Sequence, residues 1–492
     1  MAGPSKSVFG HIANLGRHSA IYAVSTAIQR LTGIVLLPVY TSFTYIQSRG
    51  EYGNYALVYV FLAFMNLFYL YGMDSALLRY FYLGNKDRKT VFSSTFLILL
   101  VTGVATTLLL FSGSDAIARV LLQDEKLGVL IRPAVWILLF DSLLNLSFLV
   151  LRAEEKSIQF TFFRAFRFLL ELCLNIVFVV VLRKGVLGII YANLIASLIN
   201  FVAMLPIAMR YFRPRIDFAL WKEMLRFGLP FLPNGIAYMT IEMVDRFLVQ
   251  EYLGKDAVGL YSANYKFGTI LLLLVVAFRN AWQPFFLKIA GEPRAREIFA
   301  RVLTYFTIGA GLVTVTVSFF IRDLLTWRIL GKFTLLGSRY WAGIPIIPLI
   351  LLSYFCFGIY VILTPGFYIK KKSKYMVLFT GSGAIINIVL NLILLPRFYI
   401  WGAAWATLGS YLVMALGIYL VSNRIYPIPL QWSRLLKTGG LLGIYFSLYY
   451  LFELPFWGKI LLILTLFLIC YKMLLEADER QALKSRLSAI FT

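Results

Sequence analysis

The sequence predicts an all-α integral membrane protein of about fourteen transmembrane helices, and three observations carry that expectation. Of the 492 residues, 60% are hydrophobic and only 14% charged, against about 45–50% and about 25% in soluble domains. Apolar runs recur along the whole length, each long enough to cross a hydrocarbon core of roughly 30 Å. In lipid, open strands leave their backbone unsatisfied, so the runs must be helices. No loop is long enough to hold a soluble catalytic domain.

The expected spans are 20–40, 55–78, 92–112, 131–151, 161–182, 186–209, 228–250, 258–281, 302–321, 342–364, 375–396, 400–422, 437–453 and 456–474. Arg183, Lys184 and Gly185 make the tightest junction. Net charge is +24, from 47 Lys and Arg against 23 Asp and Glu. In a soluble chain that excess would suggest nucleic acid. Here topology explains it, because cytoplasmic loops of membrane proteins collect basic residues. With both termini inside, the inner segments hold 30 of the 47 cations and the outer loops 13. Arg164 and Arg167 count among the inner loop residues. Arg30, Arg246, Lys266 and Arg279 remain within spans. No nucleic-acid partner is expected.

Two histidines and three cysteines give no metal-ligand spacing, and no cofactor is expected. Cys173, Cys356 and Cys470 all fall in expected spans and read as small buried hydrophobes. No cleavable signal peptide is evident at the first apolar run. Tyr354 and other aromatics read as an interfacial belt. The tail at 476–486 reads as a solvated amphipathic helix, and 213–217 as a hinge-like connector.

The chain resembles itself. GNYALVY at 53–59 matches GLYSANY at 259–265, and Asn175 and Asn391 follow Lys-Ser pairs at one spacing. This predicts two six-helix lobes related by a pseudo-two-fold axis along the membrane normal. The expected organisation is an N-terminal lobe at 1–210, a cytoplasmic linker at 211–227, a C-terminal lobe at 228–424, and helices 13 and 14 with a tail at 425–492.

Between two lobes lies a cleft, and charges at membrane depth should face it. Asn234, Tyr238, Glu242, Asp245 and Arg246 share one face of helix 7. Pro230 and Pro233 are expected to bend or break its first turns. A cation at bilayer depth costs at least about 2.5–3.5 kcal/mol on the lenient insertion scale, so each needs compensation. The plain alternative is internal pairing, of Glu242 or Asp245 with Arg246 and of Asp74 with Arg79; Arg279 could also snorkel to the interface. Arg30 and Lys266 have no acid within a turn of their own helix. Arg30, Arg79, Arg246, Lys266 and Arg279 are therefore the expected substrate-binding set, with Asn234, Tyr238, Glu242 and Asp245 as polar support. Such a cationic cleft suits phosphate or pyrophosphate, whose oxygens guanidinium binds bidentately.

The stretch FGLPFLPNGIAYMTIEMVDRFLVQEYLGKDAVGLYSANYKF at 227–267, AWQPFF at 281–286, NLILLPRFYIWGAAWAT at 391–407 and LGRHSAIYAVSTAIQRLTGIVLLPVYTSF at 15–43 together resemble the oligosaccharide flippases. These are the polysaccharide-transporter branch of the multidrug/oligosaccharidyl-lipid/polysaccharide exporter superfamily. The resemblance implies a non-enzymatic transporter of the bacterial cytoplasmic membrane that moves a polyprenyl-pyrophosphate-linked oligosaccharide by alternating access. It implies membrane lipids as surroundings, and a polysaccharide polymerase or glycosyltransferases as partners. Two rivals share the fold: a flippase for the lipid-linked peptidoglycan precursor, and a cation-coupled multidrug exporter using Glu242, Asp245 and Asp141. A membrane enzyme ranks last, for want of a large outer loop.

Overall fold

A computed structural model of the chain describes residues 33–83, 87–329, 333–370, 372, 374–474, 476 and 479–480. Arg30 and most of the first expected span lie outside these residues. The architecture is all-helical, apart from one two-residue antiparallel pair, Arg328–Ile329 with Phe333–Thr334. Among the described residues, ten helices are long and apolar enough to cross a membrane. Ser157–Asn175 and Phe231–Leu253 fall short because each carries at least three charges, and those charges build the site described below.

In chain order the first half comprises α1 (Leu37–Tyr40), α2 (Arg49–Leu70), α3 (Met73–Leu83), α4 (Arg88–Ser112), α5 (Ser114–Leu122), α6 (Gly128–Ala153), α7 (Ser157–Asn175) and α8 (Gly185–Met209). A π-helical turn, Ile176–Val181, extends α7. The chain then forms α9 (Phe218–Gly228), α10 (Phe231–Leu253), α11 (Lys255–Gly268), α12 (Ile270–Ile289) and α13 (Ala295–Thr326). A 3-10 segment at Ser338–Ile346 leads into α14 (Ile347–Ile362), followed by α15 (Pro365–Ile369), α16 (Lys374–Phe398), α17 (Ile400–Ile425), α18 (Trp432–Leu451) and α19 (Phe456–Ile469).

Several expectations are corrected. The span at 55–78 is two helices. Tyr71 and Gly72 take positive φ, of 31° and 81°, so the α-helical hydrogen bonding stops there. The span at 258–281 is likewise divided, between α11 and α12. Pro230 and Pro233 do not break a helix; they sit where α10 begins, the position that tolerates a missing N–H. The connector at 213–217 is pinned, not hinge-like. Ser93 Oγ accepts the Arg213 N–H at 2.7 Å, and Ser94 Oγ accepts the Asp217 N–H at 2.9 Å. Cys173 is exposed, whereas Cys356 and Cys470 are buried. The tail is not free of contacts, since Arg434 binds Glu479 at 2.8 Å and Glu476 at 3.3 Å.

Several glycine contacts join the two halves of the chain, and two of them set glycine against glycine. A Cβ on Gly53 would stand 2.3 Å from the Lys255 carbonyl oxygen; one on Gly259 would stand 2.0 Å from that of Arg49. The backbones of α2 and α11 thus touch at the very glycines that the repeat equates. An Arg49–Asp256 ion pair of 3.4 Å flanks this contact. The second contact is Gly72 on Gly228, where a Cβ on Gly72 would lie 2.1 Å from the Gly228 carbonyl oxygen. Here α9 packs beneath α3, with a hydrogen bond of 2.9 Å from the Tyr80 hydroxyl to Glu223.

Gly259→Ala should lower the apparent unfolding temperature of the detergent-solubilised protein, because overpacking against backbone costs about 1–3 kcal/mol. Gly439→Ala should leave it unchanged or raise it. Nothing lies within 4 Å of a Cβ there, and alanine is the better helix former by about 1 kcal/mol. Tryptophan-fluorescence melting curves of the two variants check this contrast.

Candidate functional site

The expected polar face of α10 exists, and its lower part is a buried network. Asp245 is fully buried and its carboxylate binds the Arg246 guanidinium at 2.7 Å. The Tyr261 hydroxyl donates to the other oxygen of Asp245 at 2.5 Å. Arg246 also donates to the Glu242 carbonyl oxygen and lies 4.2 Å over the Tyr265 ring. The Glu242 carboxylate accepts from Tyr354 at 2.9 Å and from Tyr411. Tyr354 is therefore not a belt residue: it is fully buried and its hydroxyl serves a carboxylate. A buried charge is tolerated when it is paired and hydrogen-bonded, and four tyrosines from α11, α14 and α17 supply that shell here.

Lys266 on α11 is held differently. Its ammonium lies 5.0 Å from the Tyr55 ring, 5.5 Å from Tyr52 and 5.8 Å from Tyr40, all from the other half of the chain. Among the described residues it forms no ion pair, and its one hydrogen bond runs to the Tyr55 hydroxyl at 3.4 Å. It borders two adjoining cavities. The central one, about 440 Å³, lies between α2, α10 and α11 and is lined also by Tyr52, Tyr238, Glu242 and Arg246.

The second cavity, about 680 Å³, opens into the first half and holds residues that the sequence reading missed. Arg167 forks onto Asp141 at 2.7 and 2.9 Å and reaches Ser197 at 2.9 Å. Arg164 lies 4.1 Å over the Phe148 ring. Asp74 and Glu171 line the same space. Arg164 and Arg167 are not loop cations; they sit on α7 with Glu171. Their three-and-four spacing was the available signal, since it puts all three on one helical face.

A third cavity, about 500 Å³, lies in the second half between α10, α12, α14 and α16. It meets the central cavity at Tyr238 and contains Asn234 and Arg279. Arg79 lies elsewhere: its exposed guanidinium stacks 4.5 Å over Phe227, and it lines none of these cavities. No ion pair joins it to Asp74 among the described residues. The expected set thus divides. Arg246, Lys266, Arg279, Glu242, Asn234 and Tyr238 line two cavities that share Tyr238, with Asp245 behind Arg246; Arg79 does not join them, and Arg30 lies outside the described residues.

The expected cationic cleft is not purely cationic. Among the described lining residues, Arg164, Arg167, Arg246, Lys266 and Arg279 meet Asp74, Asp141, Glu171 and Glu242. The reason is geometric. A partner search along one helix cannot find a carboxylate on the next, such as Asp141 on α6 facing Arg167 on α7. Among the described residues, neither the ammonium of Lys266 nor the guanidinium of Arg279 forms an ion pair.

A family model described as "polysaccharide biosynthesis protein" matches residues 46–303, more than half of the chain. No curated protein sequence matches. Solved structures match over nearly their whole length. The lipid II flippase MurJ in an inward closed conformation aligns at TM-score 0.74 and 16% identity, over 92% of this chain and 97% of that one. A MOP superfamily transporter from Pyrococcus furiosus aligns at TM-score 0.62 and 14% identity, over 87% and 99%. A multidrug resistance MATE family transporter of the MOP superfamily, outward-facing, aligns at 0.61 and 14%, over 84% and 96%. The chain belongs to the polysaccharide biosynthesis protein family and carries the membrane-transporter fold of these solved structures.

Proposed function

We propose that the chain flips a polyprenyl-pyrophosphate-linked oligosaccharide across the bacterial cytoplasmic membrane by alternating access, with no bond made or broken. The two lobes would be 1–210 and 228–424, joined by 211–227, and helices 13 and 14 would follow, with both termini cytoplasmic. The observation that carries the reading is Lys266. It is an ammonium that borders two adjoining cavities, beside both halves of the chain, resting among tyrosine rings with no ion pair among the described residues. Aromatic rings stabilise a cation by about 0.5–2 kcal/mol. A pyrophosphate entering that space offers charge-assisted hydrogen bonds roughly twice as strong as neutral ones. The family membership supports a polysaccharide precursor as the cargo.

Lipid-linked peptidoglycan precursor is the second reading, supported by the TM-score of 0.74 to a lipid II flippase. Depleting the host's own lipid II flippase separates the two. Rescue of growth by this chain would favour the second reading, and lysis despite normal expression would favour the first. The multidrug reading has less support, since every carboxylate lining the cavities shares its space with a cation.

Lys266→Gln should cut translocation of polyprenyl-pyrophosphate oligosaccharide at least tenfold in proteoliposomes, with Lys266→Arg retaining most of it. An unchanged rate in Lys266→Gln rejects the assignment. Asp245→Asn should instead act on stability. It strands the Arg246 charge, and breaking a buried pair costs about 3–5 kcal/mol. The monodisperse peak in detergent chromatography should shrink, and an Asp245→Asn/Arg246→Gln double variant should recover part of it.

A further inference from the structure

Of the three cavities, the one in the second half has a chemistry of its own. No carboxylate lines it among the described residues. Its polar groups are Asn234, Gln283, Tyr368, Tyr238 and Arg279, with Thr364 and Thr380 hydrogen-bonded to their own helices. Gln283 and Arg279 are exposed, and among the described residues neither side chain makes a hydrogen bond or ion pair.

Its walls are aromatic. Trp282 stacks on Phe278 and Phe285, with ring centroids 5.6 and 5.8 Å away. Phe357 and Tyr360 stack at 6.1 Å on the opposite side. Trp282 is 3% exposed, and its indole N–H has no acceptor. The Asn234 side-chain oxygen is likewise buried without a donor. A buried polar group without a partner costs about 1–3 kcal/mol, so these two atoms mark a place where the protein alone leaves hydrogen bonds unmade.

Planar amide, guanidinium and phenol groups beside flat apolar rings suit a ligand that is polar at its edges and apolar on its faces. That is a pyranose, whose hydroxyls both donate and accept while its C–H faces lie on aromatic rings. A hydrophobic cation would find no counter-charge in this cavity. At about 500 Å³ the space falls within the range of ordinary ligand pockets, and it exceeds what a lone pyrophosphate needs.

We infer that this cavity is a saccharide subsite, separate from the place where Lys266 meets the pyrophosphate. Gln283, Arg279 and Asn234 bind the sugar hydroxyls, and the Trp282 indole N–H adds a donor at the wall. Tyr238, which borders both cavities, stands where the first sugar leaves the phosphate. This inference rests on the flippase reading and adds to it a location for the glycan. Arg279, expected from the sequence to grip phosphate, is thereby assigned to the glycan.

The test compares two lipids on the full-length protein in nanodiscs: undecaprenyl pyrophosphate without sugar, and the polyprenyl-pyrophosphate oligosaccharide extracted from the cells that express this chain. Tryptophan fluorescence gives Kd for each. The glycan-bearing lipid should bind at least tenfold tighter. An Arg279→Gln/Gln283→Ala variant, altering two exposed side chains, should bring that ratio close to one while the Kd of the sugar-free lipid stays within twofold. Lys266→Gln should weaken both lipids together and preserve the ratio. A ratio that survives Arg279→Gln/Gln283→Ala overturns the saccharide subsite and leaves the flippase reading standing. Failure of both lipids to bind the wild-type protein overturns the flippase reading, and the subsite with it.

Discussion

Charge at membrane depth has to be compensated where it stands, and the centre of this protein is organised by that requirement. Asp245 and Arg246 are neighbours in sequence and partners in space, at 2.7 Å. Alone, the pair would leave lone pairs and N–H groups unmet in a dry interior, where desolvation can exceed the attraction. Tyr261 and Tyr265 complete it, and Tyr354 and Tyr411 complete Glu242 in the same way. A phenol suits this task because it brings a large apolar body together with one hydrogen-bonding tip. Asp141 and Arg167 repeat the logic in the first half, with Ser197 and Asn193 as the polar shell.

Against that background the cations without carboxylates stand apart. Lys266 rests among the rings of Tyr40, Tyr52 and Tyr55, and Arg279 faces a cavity that no acid lines. Arg167 and Arg246 border open space while paired with a carboxylate, whereas Lys266 and Arg279 border it with no ion pair among the described residues. Cavities of about 440 to 680 Å³ lie side by side, sharing Lys266 and Tyr238 in their walls.

Much of this was legible in the amino-acid order, for identifiable reasons. Apolar length fixed the helical class, and the repeat pointed to Gly53 and Gly259, which touch in the folded protein. The face of α10 followed from its three-and-four spacing. What escaped was whatever depends on a neighbouring helix. The carboxylate facing Arg167 lies on another helix, so local pairing rules could not find it. Charged helices also disguise themselves: Arg164 and Arg167 lie within the expected span 161–182, yet their charge placed them in the tally of inner loop cations. The interruption at Tyr71 and Gly72 escaped because positive φ in a tyrosine has no signature in composition.

Gly259 and Lys266 share one straight helix, seven residues apart, or about 10 Å along its axis. Near its start two backbones press together with no side chain between them; two turns on, along the same face, an ammonium is cradled by rings from the opposite half. A rigid rod transmits force. A guest that draws the ammonium out of its cradle would pull on the same face of the helix that closes the seam two turns away.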